Sequence, residues 1–290
     1  MTKIAFQGAF GANSDMACRA VYPNCETIPC FGFDDAFSAV QTGAADLAMI
    51  PVENSTAGRV ADVHYLLPQG GLHIIGEHYQ PIQHHLLAAK GAKLSDIKRV
   101  ESHVQALAQC RNWLKRHGIQ PVVHADTAGA AQDISKRGDP TVAAIASDLA
   151  GKIYGLESLA TNIADSDEEG GSKNTTRFLI LSREAIEPSP ESACITTLLF
   201  RVRSVPAALY KALGGFATNG VNITKLESYL VDGNFTAAQF YVDVEGHPQN
   251  MPLRLALEEL AFFAHDAKIL GVYPAHPFRH EPLLSAKRKL

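Results

Sequence analysis

From Lys3 to about Ser182, short apolar runs alternate with longer stretches whose apolar residues recur at helical spacing, the pattern of α/β architecture. Strands are predicted over 4–6, 47–52, 72–78, 82–88, 122–124, 142–145 and 178–181, and helices over 34–42, 104–116 and 128–136. The stretch 72–89 differs from the rest. It reads as two long strands with Pro81 near their junction, and because proline cannot donate to a strand ladder, the chain is expected to pass there from one sheet to another, as a hinge between two lobes. Around 183–192 the sequence REAIEPSPES breaks the periodicity and reads as a linker. Beyond it TTLLFRVR is a strand, 207–218 a helix, VNITKLESYL and FTAAQFYVDVEG strands, 252–264 a helix and KILGVYP a last strand. That βαββαβ order is the ferredoxin-like plan, frequent among small-molecule sensing modules. The final SAKRKL reads as a solvated basic tail.

Composition narrows the function classes. A chain of 290 residues corresponds to two domains at roughly 150 residues each, and 46% hydrophobic against 19% charged residues supports substantial cores. The net charge of −4 and pI near 6.3 supply no global attraction for nucleic acid or an anionic membrane surface. No stretch approaches the roughly 18 apolar residues of a spanning helix, and MTKIAFQGAF lacks the flank and cleavage site of an export signal, so a cytoplasmic location is expected. Cys18, Cys25, Cys30, Cys110 and Cys194 are scattered without any CxxC, as reduced thiols would be; neither disulfides nor a zinc framework is expected. GxSxG, Walker and HExxH sequences are absent.

Candidate chemistry gathers at junctions between strands and helices. The segment GAFGANS at 8–14 follows a strand and precedes a helical pattern; its glycines let backbone approach a ligand, or it is a plain turn capped by Asn13 or Ser14. IPVENSTAG at 50–58 runs an apolar strand into hydroxyls, an amide and a carboxylate, at the strand end where α/β sheets gather ligands. GGSKNTTRF at 170–178 sets amide, hydroxyls and a guanidinium at the head of a strand, where Arg177 could pair with a carboxylate and Thr176 could donate to a leaving oxygen. Gln105 and Gln109 share a helix face, and Thr127 reads as the cap of the next helix. Adjacent His84 and His85 point to opposite faces of a strand, favouring structural roles, and Trp113 reads as core. Together these junctions would rim a cleft of amides and hydroxyls with few acids.

These segments, in this order and over nearly the whole chain, resemble prephenate dehydratase with a C-terminal ACT regulatory domain. IPVENSTAG is similar to the family's VPIENS-type segment, SHVQALAQC to SHPQALxQC, DTAGAA to STAxAA, NTTRFLIL to NxTRFxxL, and GVNITKLES to the ACT motif GINLTKIESRP. The resemblance implies an α/β catalytic region over 1–184, bilobal like a type II periplasmic binding protein, with one lobe from about 1–78 and 164–184 and the other from about 79–163. A linker at 185–193, an ACT domain of ferredoxin-like βαββαβ fold at 194–280 and a tail at 281–290 would follow. It implies decarboxylating dehydration of prephenate to phenylpyruvate without a cofactor. Thr176, Asn54 and Gln109 would be catalytic, and Ser14, Ser55, Ser102, Thr127 and Arg177 would contact substrate. It further implies feedback by L-phenylalanine at Ala207, Ala208, Leu209, Asn222, Glu227 and Ser228, in a homodimer or homotetramer built through the ACT and catalytic domains. Arogenate as substrate, or an inactive small-acid sensor, are the alternatives. Where the family has GPxGTFS, GAL and ESRP, this chain has GAFGANS, Ala207-Ala208-Leu209 and Glu227-Ser228-Tyr229-Leu230.

Overall fold

A computed structural model describes residues 1–165, 174–203, 205–231 and 234–280; the predicted Gly170–Lys173 approach and the basic tail lie outside the described residues. The chain groups into two compact units, 1–66 with 78–179, and 67–77 with 180–290. The sequence expectation divided the chain at the linker instead. Residues 67–77 and 180–184 group by contact with the second unit.

In chain order the first part forms β1 (Lys3–Gln7), α1 (Asn13–Val21), β2 (Glu26–Cys30), α2 (Phe33–Gln41), β3 (Leu47–Asn54), β4 (Gly58–Arg59), α3 (Ala61–Leu66) and β5 (His73–Pro81). It continues through β6 (His85–Ala88), β7 (Arg99–Ser102), α4 (Val104–Gln109), α5 (Arg111–His117), β8 (Gln120–Val123), α6 (Thr127–Arg137), β9 (Val142–Ala146), α7 (Asp148–Tyr154), β10 (Glu157–Ala160) and β11 (Thr175–Ser182). One sheet has the order β2-β1-β3-β11-β5 with β4 paired to β3, and a second the order β10-β6-β9-β7-β8. The chain does change sheets between β5 and β6, with Pro81 closing β5. The central parallel strands β1 and β3 are buried and mostly apolar in their middles, as strands covered on both faces require, whereas β2 at the sheet edge buries only Thr27.

The predicted helix over 104–116 is two helices. Cys110 leaves helical geometry between them, and the Asp165 carboxylate accepts the backbone N–H groups of Asn112 (3.0 Å) and Trp113 (3.1 Å), capping α5 from a distant part of the chain. Trp113 is buried in the core beneath these helices, as expected. Gly11 adopts φ +85°, and a Cβ there would meet the Ala150 backbone at 2.6 Å. Its carbonyl accepts from Ser147 Oγ (2.5 Å), so the turn after β1 is held against the start of α7.

The second unit contains β12 (Cys194–Val202), α8 (Ala208–Thr218), β13 (Ile223–Val231), β14 (Asn234–Glu245), α9 (Met251–Phe263) and β15 (Ala264–Pro274). Its antiparallel sheet runs β13-β14-β12-β15, the predicted βαββαβ arrangement. Leu198, Phe200, Phe216, Val242, Leu253 and Leu260 pack between sheet and helices. Alternate residues carry a polar network instead: Thr197 Oγ1 donates to Asp243 Oδ1 (2.6 Å) and lies 2.8 Å from the Tyr273 hydroxyl. Residues 67–77 enter this unit through Ile74, whose carbonyl leaves no room for a side chain at Gly271, and through Glu77. The fully buried Glu77 carboxylate accepts from Arg279 Nε (2.6 Å) and Nη2 (2.8 Å) and from the His276 backbone N–H (3.1 Å). Among the described residues no helix is long and apolar enough to cross a membrane.

Candidate active site

Asn54 ends β3, and its amide orientation is dictated by the turn that follows. Oδ1 accepts the backbone N–H groups of Thr56 (3.0 Å) and Ala57 (2.8 Å), which can only donate, so Nδ2 must face the other way. It donates to Asn174 Oδ1 (2.7 Å) and to Thr176 Oγ1 (2.9 Å). Asn174 Nδ2 donates in turn to Gln109 Oε1 (3.0 Å), Gln109 Nε2 to Thr56 Oγ1 (2.5 Å), and Thr56 Oγ1 back to Asn54 Oδ1 (2.8 Å). A closed ring of amides and hydroxyls results. Thr176 stands outside the ring, receiving a hydrogen from Asn54 while its own hydroxyl hydrogen goes to no described residue. The ring and Thr176 together unite the three residues that the resemblance marks as catalytic. Two members, Thr56 and Asn174, were not singled out from sequence, although both flank marked positions.

These groups sit in a cleft of about 940 Å³ within the first unit. It is lined by the turn after β1, the ends of β3 and β4, α3, and the starts of α1, α4 and α6. Asn54, Gln109 and Thr176 line it, together with Ser14, Thr127 and, from the same helix face as Gln109, Gln105. His84 and His103 line it as well, and His84 Nε2 lies 2.7 Å from Gln109 Oε1. Among the described lining residues Arg59 is the one arginine or lysine, and Asp34, Asp62 and Asp126 are the carboxylates. More acids line the cleft than the sequence reading foresaw.

Three expected substrate contacts are placed elsewhere. Arg177 is buried and ion-paired to Glu53 (3.0 Å) and does not line the cleft; strand alternation turns it away from the face that Thr176 and Phe178 present. Ser55 ties β3 to β11, its Oγ accepting from the Thr175 N–H (3.0 Å) and its own N–H donating to the Thr175 carbonyl (2.9 Å). Ser102 is fully buried and donates to the Ile145 carbonyl (2.6 Å), joining β7 to β9. The helix caps also differ from expectation. Ala12 precedes α1 without a side-chain cap, and Asp126, not Thr127, caps α6 by accepting the Gly129 N–H (2.7 Å).

In the second unit Ala207 is held at φ +61° at the start of α8, a left-handed conformation that glycine adopts freely and alanine rarely does. Ala208 is buried, Leu209 packs on the helix-covered core, and Glu227 pairs with Lys225 (3.3 Å). Ser228 lies beside Phe240 in the ladder, and Phe240 beside Phe200 toward the end of β12 that leads to Ala207. Asn222 lies at the other end of the sheet, where Glu245 N–H reaches its carbonyl and a cavity of about 570 Å³ opens beside Gly246 and Asn250. One chain does not bring Asn222 and Ala207 together.

The architecture and cleft define an α/β enzyme-like catalytic unit joined to a ferredoxin-like module, and comparison with known proteins specifies the family. The sequence model described as Prephenate dehydratase matches residues 4–186. A bifunctional N-acyl-homoserine lactone acylase/prephenate dehydratase of Komagataeibacter europaeus is 51% identical over 96% of this chain and 98% of its own. Arogenate dehydratase/prephenate dehydratase 1 of Arabidopsis thaliana is 41% identical over 94% of this chain and 72% of its own. The solved prephenate dehydratase of Arthrobacter aurescens in complex with L-Phe superposes with a TM-score of 0.85 at 32% identity, covering 94% of this chain and 90% of that one. The chain belongs to the prephenate dehydratase family.

Proposed function

We propose that this chain catalyses loss of carbon dioxide and water from prephenate to give phenylpyruvate. The observation that carries the reading is the polarity at Thr176: Asn54 donates into its oxygen, leaving the hydroxyl hydrogen to be given to a ligand in the cleft. As the carbon–carboxylate bond breaks, its electron pair enters the ring and the carbon–oxygen bond at the opposite ring position breaks. The departing hydroxide needs a hydrogen, and Thr176 supplies a hydrogen bond or proton there. Threonine is a weak acid, but a donor into its oxygen polarises its O–H, and most of the acceleration is electrostatic. Asn54 and Gln109, whose hydrogen-bonding groups are engaged within the ring, act by holding Thr176. Arg59 and the backbone N–H groups at the start of α1 are the groups suited to the substrate carboxylates.

The test is to incubate purified protein with prephenate and, separately, arogenate, and to measure phenylpyruvate and phenylalanine. Phenylpyruvate formation supports the reading; phenylalanine formation from arogenate alone shifts the substrate; no turnover of either removes the lyase. The 51% identical relative carries a second named activity, so N-acyl-homoserine lactone belongs in the same assay, with release of homoserine lactone as the readout.

The C-terminal module is proposed to sense L-phenylalanine. Because Ala207 and Asn222 lie at opposite ends of one sheet, a single effector site using both sets of residues requires a second copy of the chain. L-phenylalanine is expected to lower turnover and raise the thermal midpoint together; a titration that moves neither excludes the sensor.

A further inference from the structure

We propose that His84 is a positioning residue for the proposed dehydration, the buried end-stop that fixes the polarity of the amide ring and thereby the direction of the Thr176 hydrogen. Two backbone amides set the sign of the whole ring. Thr56 and Ala57 N–H make Asn54 Oδ1 an acceptor, which makes Asn54 Nδ2 the donor to Asn174 Oδ1, Asn174 Nδ2 the donor to Gln109 Oε1, and Gln109 Nε2 the donor to Thr56. Every hydrogen bond in the chain is then determined in sign. Gln109 Oε1 is an acceptor, so His84 Nε2, 2.7 Å away, must carry a hydrogen. The imidazole is thus held as a donor at Nε2, in its neutral or its protonated form.

The reverse orientation shows what this accomplishes. If Gln109 turned over, its NH2 would face both Asn174 Nδ2 and the His84 N–H, and a carbonyl would face Thr56 Oγ1. Asn174 would then have to turn as well, setting NH2 against NH2 at Asn54, whose own orientation the backbone forbids changing. Asn54 could release the strain only by drawing its Nδ2 away from Thr176. His84 penalises that first rotation at the end of the ring farthest from the backbone amides. It is 3% exposed, so its N–H is held in one direction, as a water admitted from the cleft would not be. Asn174, between the two marked amides, transmits the same constraint.

For its kinetic arm the inference rests on the dehydratase reading; its structural arm does not. Nitrogen-15 correlation spectra of the wild-type chain, with His84 assigned by the His84→Gln variant, are expected to show the Nε2–H tautomer near neutral pH. An Nδ1–H tautomer at His84 overturns the inference whatever the protein catalyses. In the prephenate assay, His84→Leu is expected to lower kcat about tenfold with KM within roughly threefold, the loss of one buried hydrogen bond. His84→Gln, which can place an amide N–H near the same position, is expected to recover most of that loss. Equal losses in the two variants, or a change confined to KM, overturn the positioning role. Thermal midpoints of both variants separate unfolding from misorientation: a kcat loss that follows the midpoint in both overturns it too. Absence of turnover by the wild-type chain removes the dehydratase reading, and the kinetic role with it, but leaves the tautomer result standing on its own.

Discussion

Valine at position 176 keeps the shape of threonine and removes the one hydrogen that the ring directs into the cleft. Thr176→Val is expected to lower kcat by about 10² or more with little change in KM, measured as phenylpyruvate formation, because the lost interaction belongs to the transition state. Arg59 bears on substrate binding instead. A dianion entering a cleft rimmed by Asp34, Asp62 and Asp126 needs its local cation, so Arg59→Gln is expected to raise KM for prephenate about tenfold or more while kcat holds within a few fold. Unchanged KM would assign the carboxylates to backbone donors. At this scale the meeting of Asn54, Gln109 and Thr176 in one cleft is legible in the short motifs that carry them, while their catalytic roles remain the proposal. Whether Arg177 contacts substrate or buttresses the cleft is not legible in sequence, and its pairing with Glu53 fits the buttressing alternative. His84 was passed over because a histidine in an apolar run is usually structural, and its partner Gln109 lies on a helix in another part of the chain.

Elements were legible where periodicity was long. The core strands β1, β3, β9 and β11 and all of the C-terminal module follow the hydrophobic pattern. The short strand β7 has the sequence RVES, with one aliphatic residue, and offers little pattern to read. The break between α4 and α5 depends on Asp165, more than fifty positions away in number and adjacent only after folding. A similar long-range tie joins β7 to the end of α6. The Arg137 guanidinium donates to Glu101 through Nη1 (2.8 Å) and Nη2 (2.5 Å), and this hydrogen bonding holds the Glu101 carboxyl below its usual range. A folded pKa below the unfolded one means the unfolded chain binds the proton more readily. The pair therefore stabilises above the unfolded value of about 4.3 and loses that contribution as pH falls through the depressed folded value. Urea midpoints of wild type and Arg137→Met are expected to differ at pH 7 and to converge as the pH falls below about 4.3 and through the depressed folded value; a constant gap would show that the arginine acts through packing alone.

For the whole molecule, the linker composition at 183–192 marked a change of pattern but not the boundary of the compact units. Residues 67–77 belong by contact with a module that begins more than a hundred residues later, and apolar patterning carries no information about such partners. Ile74 and Glu77 show what the interleaving means for cutting and joining genes. A fragment ending at residue 186, where the family match stops, still encodes the buried Glu77 carboxylate but neither Arg279 nor the His276 N–H that receive it, nor the Gly271 surface that covers Ile74. Stripping a buried charge of its partner typically costs about 3 kcal/mol or more, so fragment 1–186 is expected to be less soluble and to melt below the full chain. A fragment as stable as the parent would show that these contacts are dispensable. The same contacts predict that a chimera with a relative keeps its stability only when residues 67–77 are exchanged along with the C-terminal module, so Ile74 and Glu77 travel with the partners they were packed against.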